Sequence, residues 1–267
     1  MIGAEEKVLQ RIAAQMQRVL IVDPQPAAAR FLSELLRNIS PCQIWTAAEA
    51  DRGLATAERV GPHMVFVERC AELDGVAFTR ALRRSDYLCR KAPVIMVSAE
   101  STASLIVAAR DCGVHEFLRK PYTLKELLRR LDAVAARPRD WVEGISYVGP
   151  DRRRFNSGDY SGPLKRRVDH ALTPTSARIV QALKILKAAV AGLEADPRQA
   201  HRAMLAQAGE LEAAAETVCD ARLGAAAAAL ALRLAACSPT QLTRADLAPM
   251  MSEFWDYLPD ETARSAA

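Results

Sequence analysis

Four polar side chains stand at or just after the ends of short apolar runs, and their types could bind a charged group. They are Asp23, Glu68, Ser98 and Lys120. Carboxylates can hold a divalent cation, while a hydroxyl and an ammonium can grip anionic oxygens. If the runs are parallel strands, their carboxyl ends meet at one edge of a sheet, where chemistry concentrates in such folds. The strand ends are therefore the candidate site.

The apolar runs predict the strands that must position these side chains. They are RVLIV at 18–22, CQIWT at 42–46, MVFV at 64–67, PVIMV at 93–97 and HEFL at 115–118. Short runs without alternation are typical of strands buried on both faces of a parallel sheet. Helix-period patterns alternate with them, so we expect an α/β fold with a doubly wound, five-stranded sheet.

The order of these motifs resembles the receiver domain of bacterial response regulators. VLIVD comes first, then MVFVE followed by Asp-Gly at 74 and 75, then APVIMVSAE, then FLRKPYTLKELL. Together they cover residues 17–136. The resemblance implies a flavodoxin-like sheet of strand order 2-1-3-4-5. It also implies a role in two-component, phosphorelay signal transduction, and not an enzyme.

The same resemblance indicates that the phosphorylation pocket is degenerate. Receivers hold Mg²⁺ with two adjacent acidic residues after the first strand and an aspartate after the third. The matching positions here are Asp23, Pro24 and Glu68. Proline has no side-chain oxygen, and Glu68 stands at the phosphoacceptor position with its carboxylate one methylene further out. We expect a pseudo-receiver without a cofactor, unless Asp23 and Glu68 still bind Mg²⁺.

Other pocket positions match the family. Ser98 and Lys120 match the groups that grip the phosphoryl oxygens, Phe117 matches the aromatic switch position, and a cis bond before Pro121 is expected to place the lysine. One hypothesis is that the Glu68 carboxylate reaches toward Lys120 and Ser98 and imitates the phosphorylated state. The alternative is that the charged pocket residues form a structural ion-pair cluster.

The residues before the first strand carry a helical pattern. Val8, Leu9, Ile12 and Met16 recur at helical spacing within residues 1–16. The spacing predicts a short amphipathic helix that docks on the receiver. A disordered leader is the alternative.

A 13-residue repeat replaces the helical pattern between residues 137 and 170. Its copies are Tyr147-Val148-Gly149-Pro150-Asp151-Arg152-Arg153 and Tyr160-Ser161-Gly162-Pro163-Leu164-Lys165-Arg166. Gly-Pro predicts a turn, the aromatic residue can anchor on an apolar surface, and the basic pair suits an acidic or phosphate partner. The Gly-Pro-Asp-Arg-Arg sequence resembles extensions that follow the receiver in some alphaproteobacterial response regulators.

Basic residues of this segment are candidates for contacts with an anion or a partner. They are Arg152, Arg153, Arg154, Lys165, Arg166 and Arg167. We expect a solvated linker. The alternatives are packing back onto the receiver, binding of nucleic acid or anionic lipid, and binding of a nucleotide second messenger by stacked arginines.

Residues 171–267 predict an all-α helical bundle. Three apolar stripes recur at helical spacing: Ile179, Leu183, Leu186, Val190 and Leu193, then Met204, Ala208, Leu211, Ala215 and Val218, then Leu223, Ala227, Leu230 and Leu234. We expect three longer helices closed by one or two short ones. His201 is followed by Met204 instead of the lysine of histidine phosphotransfer bundles, and an ordinary surface histidine is expected. No dense basic recognition helix is present, so nucleic-acid binding by the bundle is not expected.

Composition limits the remaining classes of function. The net charge is only +4, from 36 basic and 32 acidic residues, so no global field attracts nucleic acid or anionic membrane. Six scattered cysteines without a Cys-x-x-Cys pair or a leader suggest reduced thiols in the cytoplasm. The longest apolar run, 223–232, is about half the ~20 residues that a membrane span needs.

These observations predict a cytoplasmic, response-regulator-like protein whose receiver works through phosphorylation-independent protein contacts. The expected partner is a signalling protein, such as a histidine kinase, a scaffold or a regulator, with homo-oligomerisation through the helical domain as a further expectation. Two alternatives stay open. One is a response regulator that is still phosphorylated, and the other is a regulator that binds nucleic acid or a nucleotide through the linker arginines.

Overall fold

The computed structural model describes residues 4–136, 139–152 and 174–258. The first range contains α1 (Ala4–Gln15), β1 (Arg18–Val22), α2 (Pro26–Ile39), β2 (Gln43–Ala47), α3 (Ala50–Val60), β3 (Met64–Glu68), α4 (Gly75–Arg84), a 3-10 turn (Leu88–Lys91), β4 (Val94–Ser98), α5 (Ala103–Asp111), β5 (Glu116–Arg119) and α6 (Leu124–Ala136). The second contains β6 (Trp141–Glu143) and β7 (Val148–Pro150). The third contains α7 (Pro174–Ala191), α8 (Pro197–Val218), α9 (Ala221–Ala235) and α10 (Arg244–Trp255).

The first five strands form one parallel sheet in the order β2-β1-β3-β4-β5. This confirms the predicted α/β doubly wound sheet and its strand order 2-1-3-4-5. β3 and β4 are buried at every position, because their residues are apolar up to the terminal Glu68 and Ser98 and helices cover both faces. Val22 of β1 is level with Val67 of β3, so the residues that follow them emerge at the same edge of the sheet.

Side chains of each strand alternate between two cores, one on each face of the sheet. Leu20 and Val22 point into a core shared with α3, α4 and α5. Val19 and Ile21 point into a second core shared with α1, α2 and α6. The sheet is thereby fixed from both sides.

Helix α1 packs against α6, as the helical spacing before the first strand predicts. Ile12 and Met16 are fully buried in the core that α6 shares with the sheet. Arg11 adds an ion pair to Asp132 of α6, with 3.0 Å between Nη2 and Oδ1. Leu9, another residue of the predicted stripe, is 38% exposed and lies at the border of the contact.

The segment after α6 also packs on the receiver. β6 and β7 form a two-stranded sheet, and Tyr147 and Val148 are buried. The Trp141 ring lies between cations, with Arg83 at 5.3 Å and Arg90 at 5.7 Å from its centroid. The expectation of a solvated linker is therefore corrected for residues 147–150, which are buried, whereas Arg152 is about half-exposed.

Helices α7 to α10 form the predicted bundle of three longer helices and one short one. Among the described residues, one compact unit contains residues up to 142 and 147–152, and the other contains residues 143–146 and 174–258. The predicted stripes fill the bundle core, except that Val218 is 43% exposed at the last turn of α8. That helix begins at Pro197, and the Asp196 carboxylate before it accepts from the Gln199 amide. None of the described helices is long and apolar enough to cross a membrane.

We expect Ile12→Ala to lower the unfolding free energy of the receiver by about 2–4 kcal/mol, because it removes a buried side chain that joins α1 to α6. Native-state hydrogen exchange of the β1 amides measures this energy for the receiver alone. Leu9→Ala, at the exposed border, is the matched control and should cost less than about 1 kcal/mol. Equal losses in the two variants would show that the α1 contact contributes nothing specific.

Candidate functional site

Three charged side chains meet at the carboxyl edge of the sheet. Lys120 Nζ lies 3.1 Å from Asp23 Oδ2 and forms a second ion pair with Glu68 Oε2. Both carboxylates are buried, with Asp23 8% and Glu68 5% exposed. The structure thus brings together three of the predicted pocket residues, with one ammonium between two carboxylates.

Local main-chain geometry positions each of these groups. Asp23 follows β1, its amide donates to the Ala47 carbonyl at 2.9 Å, and its Oδ1 accepts from the Gln25 amide at 2.8 Å. Glu68 is the last residue of β3. Lys120 follows β5, and the Lys120–Pro121 peptide bond is cis, as predicted. The sheet register and the turn into α2 therefore fix the pocket.

In this cluster, burial and ion pairing shift the pKa values in opposite directions. Burial raises the pKa of Glu68, the Lys120 ammonium acts against that shift, and the neighbouring Asp23 carboxylate adds to it. Burial acts to lower the pKa of Lys120, but Glu68 and Asp23 outweigh it, so that this pKa is raised. The lysine stays protonated at neutral pH, and Glu68 binds a proton more tightly than an exposed glutamate does.

The hypothesis from the sequence expects Ser98 to join the cluster, but its side chain does not do so. Its hydroxyl donates to the Arg69 carbonyl at 2.6 Å and accepts from the Glu100 amide at 3.2 Å. The main chain that follows β3 thus binds the Ser98 hydroxyl, which was expected to face Glu68. The part of the hypothesis that joins Glu68 to Lys120 is formed, and the part that joins Glu68 to Ser98 is not.

Phe117 and Pro24 are two further positions that were predicted to belong to the pocket. Phe117 is 4% exposed and belongs to the core between the sheet and α3, α4 and α5. Pro24 is half-buried between β1 and α2 and offers no carboxylate. The aromatic ring therefore points inward in this structure, and the expected second acidic ligand after the first strand is missing.

The donor set does not fit a magnesium site. Mg²⁺ binds through several oxygen ligands in octahedral geometry. Here the carboxylates of Asp23 and Glu68 already face the Lys120 ammonium, which repels a cation. Across residues 4–136, 139–152 and 174–258, no cluster of three or more His, Cys, Asp or Glu side chains could hold a metal ion.

Arg152, a predicted partner contact, is already engaged within the receiver. Its Nη1 lies 3.1 Å from Asp111 Oδ1, and its guanidinium lies 4.6 Å from the centroid of the Tyr147 ring. The acidic partner that the sequence suggests is therefore a residue of the same unit, which corrects the expectation for this arginine. The other predicted basic residues lie outside the described ranges: Arg153, Arg154, Lys165, Arg166 and Arg167.

Sequence reasoning missed a buried arginine near the other edge of the sheet. Arg83 is 1% exposed and donates to the carbonyls of Gly113, at 2.8 and 3.0 Å, and of Arg90 and Ala92, at 2.6 and 2.8 Å. Burial lowers its pKa to about 10, so it stays charged at neutral pH. The available signal was its helical spacing from Thr79, since both fall on the buried face of α4.

His201 of the helical unit is half-buried, and its Nε2 lies 2.9 Å from the Leu234 carbonyl oxygen. This contact joins α8 to the end of α9. The ring is therefore part of the helix packing, which corrects the expectation of an ordinary surface histidine.

Comparison with known proteins supports the receiver resemblance. Residues 19–132 match the family model of the response regulator receiver domain. The probable chemotaxis protein CheY of Rhizobium etli is 28% identical over 45% of this chain and 94% of its own length. The KDP operon transcriptional regulatory protein KdpE of Escherichia coli is 34% identical over 43% of this chain, but over only 50% of its own length. The predicted receiver is thus confirmed for this segment, which is a module of signal transduction.

Solved structures are similar to this chain over a little less than half of its length. The receiver domain of a sensor histidine kinase from Pseudomonas aeruginosa, which has a magnesium ion in its active-site cleft, is 24% identical. The likeness covers 46% of this chain and 99% of that domain, with a TM-score of 0.41. The magnesium ion belongs to that protein.

We expect Glu68→Gln to change how the stability of the receiver depends on pH. Because the folded pKa of Glu68 is raised above its ordinary value of 4.5, its contribution to stability is fully present below that value and is lost as pH rises through the folded pKa. Wild type should therefore gain stability relative to the variant as pH falls from about 8 to about 4, measured by urea unfolding. Glu100→Gln controls for the change in net charge. A pH-independent difference between wild type and Glu68→Gln would contradict the raised pKa.

Proposed function

We propose that this protein is a response-regulator-like signal transduction protein whose degenerate receiver acts through protein contacts without phosphorylation. One observation carries the proposal: the Lys120 ammonium is already paired with carboxylates at the positions where the family binds metal and phosphoryl group. Glu68 carries the same single charge as an aspartate but places it one methylene further out, where it pairs with Lys120. The chain is proposed to act in the bacterial cytoplasm.

The chemistry of the pocket disfavours phosphoryl transfer to Glu68. In-line attack tolerates little misplacement, and the glutamate carboxylate stands one methylene further from the main chain than an aspartate carboxylate. Its oxygen is engaged with Lys120, and Pro24 supplies no second acidic ligand for a neutralising cation. A permanent ion pair at this position supports a receiver with one stable arrangement.

The face formed by β5 and α6 is proposed to bind a signalling protein, such as a histidine kinase, a scaffold or a regulator. An open cleft of about 270 Å³ on this face is lined by Leu118, Arg119, Pro121, Glu126, Arg129 and Arg130. Leu124, at the start of α6, is 44% exposed. Lys120 lies in the sequence between Arg119 and Pro121, which both line the cleft, so a change in the pocket would reach this face through the short segment between β5 and α6.

The helical unit is proposed to supply oligomerisation or output. Its core is filled by leucine, alanine and methionine side chains, and Leu232 on the outer face of α9 is 73% exposed. An apolar side chain that protrudes from an alanine-rich helix suits packing against a second copy. This part of the proposal is tested by the mass in solution of wild type and Leu232→Ala.

We expect wild type to take up less than about one-tenth of the phosphoryl group that Pro24→Asp/Glu68→Asp takes up from acetyl phosphate and Mg²⁺. The double substitution rebuilds the acidic set of the family. Intact-mass spectrometry measures the uptake, and Pro24→Asp/Glu68→Asn, which has no acceptor, is the matched control. Stoichiometric phosphorylation of wild type in its pocket would overturn the proposal in favour of a response regulator that is still phosphorylated.

We expect Glu68→Ala to weaken capture of the partner from the native cell by about threefold or more, because it removes the carboxylate that holds Lys120 beside the β5–α6 face. Quantitative mass spectrometry of affinity-captured proteins measures the loss, and Glu100→Ala is the control. Unchanged capture would show that the pocket does not govern the contact. Binding of nucleic acid that weakens steeply with salt would favour the arginine-based alternative.

A further inference from the structure

The first copy of the 13-residue repeat lies on the receiver through a main-chain contact. A Cβ atom on Gly113 would lie 2.7 Å from the Val148 carbonyl oxygen, and a Cβ atom on Gly149 would lie 2.7 Å from the Gly113 Cα. Cβ atoms do not approach other atoms so closely. Glycine is therefore required at both positions. We call the receiver surface formed by Arg83, Asp111 and Gly113 the seat.

Other recurring residues of the repeat also have defined contacts at the seat. The hydroxyl of the buried Tyr147 donates to the Pro150 carbonyl, so the tyrosine and the proline close the turn on each other. Arg152 covers the Tyr147 ring and pairs with Asp111 of the seat. A cation over an aromatic face and a carboxylate beside it hold the turn in place. Tyrosine, glycine, proline and the base thus form one docking unit.

The receiver itself fixes the shape of the seat. Arg83 Nε and Nη2 both donate to the Gly113 carbonyl, at 3.0 and 2.8 Å. The same guanidinium donates to the carbonyls of Arg90 and Ala92, so it ties the seat to the turn before β4. Arg83 is therefore a positioning residue, and none of these bonds requires the repeat.

The second copy of the repeat keeps the residues that make these contacts. Tyr160, Gly162 and Pro163 match the tyrosine, glycine and proline, and Lys165 stands where Arg152 stands in the first copy. This segment lies outside the described residues. Its sequence nevertheless provides an aromatic ring, a residue without Cβ, a turn and a cation in the same order.

The positions that differ between the copies tolerate change at their main-chain contacts. Val148 meets Gly113 through its carbonyl oxygen, and the Asp151 amide donates to the Asp140 carbonyl at 2.8 Å. Main-chain atoms are supplied equally by Ser161 and Leu164, the matching residues of the second copy. The main-chain contacts are therefore kept, while the buried Val148 side chain is replaced by the smaller, polar Ser161.

We propose that the seat is a binding site for peptides of the form Tyr-x-Gly-Pro-x-(Arg/Lys), and that residues 160–165 are a second ligand that replaces the first copy there. One chain then carries two ligands for one seat. When the second copy replaces the first, the point at which the chain leaves the receiver moves 13 residues along the sequence. The site does not depend on the Glu68 pocket, so its test is separate from that of the proposed function.

Hydrogen exchange of the full chain tests the exchange between the two copies. The readout is the exchange rate of residues 108–115, which include Gly113. It is measured in wild type, Tyr147→Ala, Tyr160→Ala and the double variant. If either copy can occupy the seat, each single variant should exchange within about threefold of wild type, and the double variant about tenfold or more faster. A synthetic peptide of residues 158–167 should restore protection to the double variant, and its Gly162→Ala form should not.

Two results would overturn this proposal. Tyr147→Ala alone exchanging as fast as the double variant would show that the second copy does not use the seat. A double variant no faster than wild type would show that the repeat does not cover the seat at all. Unchanged β1 amides control for folding. If Tyr147→Ala unfolds the receiver, the variants Arg152→Ala and Lys165→Ala repeat the same comparison.

Discussion

The ion pairs of Lys120 are the constraint on which the functional edge of this receiver depends. Two carboxylates that are almost fully buried cannot both stay charged without a compensating cation, because the loss of hydration costs several kcal/mol for each ion. Lys120 supplies that cation, from a strand two positions away from the one that carries Glu68. These ion pairs therefore require both the observed strand order and the position of Lys120 after β5. One ammonium does not fully offset two buried carboxylates, and the pKa of Glu68 stays raised by burial.

The opposite edge of the sheet compensates a buried charge differently. Arg83 is satisfied mainly by main-chain carbonyls, which its rigid fork of five donors can reach from one position. A guanidinium can be buried on dipoles alone at moderate cost, and its pKa of about 10 leaves it charged at neutral pH. The carboxylates of Asp23 and Glu68 have no comparable set of donors and depend on one ammonium. The edge that carries Arg83 is thus suited to binding main-chain atoms, and the edge that carries Asp23 and Glu68 is suited to responding to charge.

The sequence predicted the strands from their apolar runs and, through its resemblance to response-regulator receivers, their order and the meeting of Asp23, Glu68 and Lys120. It did not predict where the Ser98 hydroxyl points. That choice depends on whether a carboxylate or the Arg69 carbonyl lies within about 3 Å, which the conformation of one loop decides. For the segment after α6 the sequence favoured a solvated linker over packing back onto the receiver, because its residues alone do not show that Tyr147 buries its ring or that Gly149 touches Gly113.

This last difference changes how the extension contributes to the receiver. A segment held only by apolar burial would tolerate many sequences, whereas a contact between two glycines accepts one residue type on each side. Such a contact is specific but contributes little hydrophobic stabilisation, because glycine buries no side chain. Its strength must come from the Tyr147 ring and from the half-exposed ion pair of Arg152 with Asp111, which solvent screens. A docking contact that is selective in sequence and modest in energy is well suited to exchange, and a permanent structural joint would instead require a larger buried apolar surface.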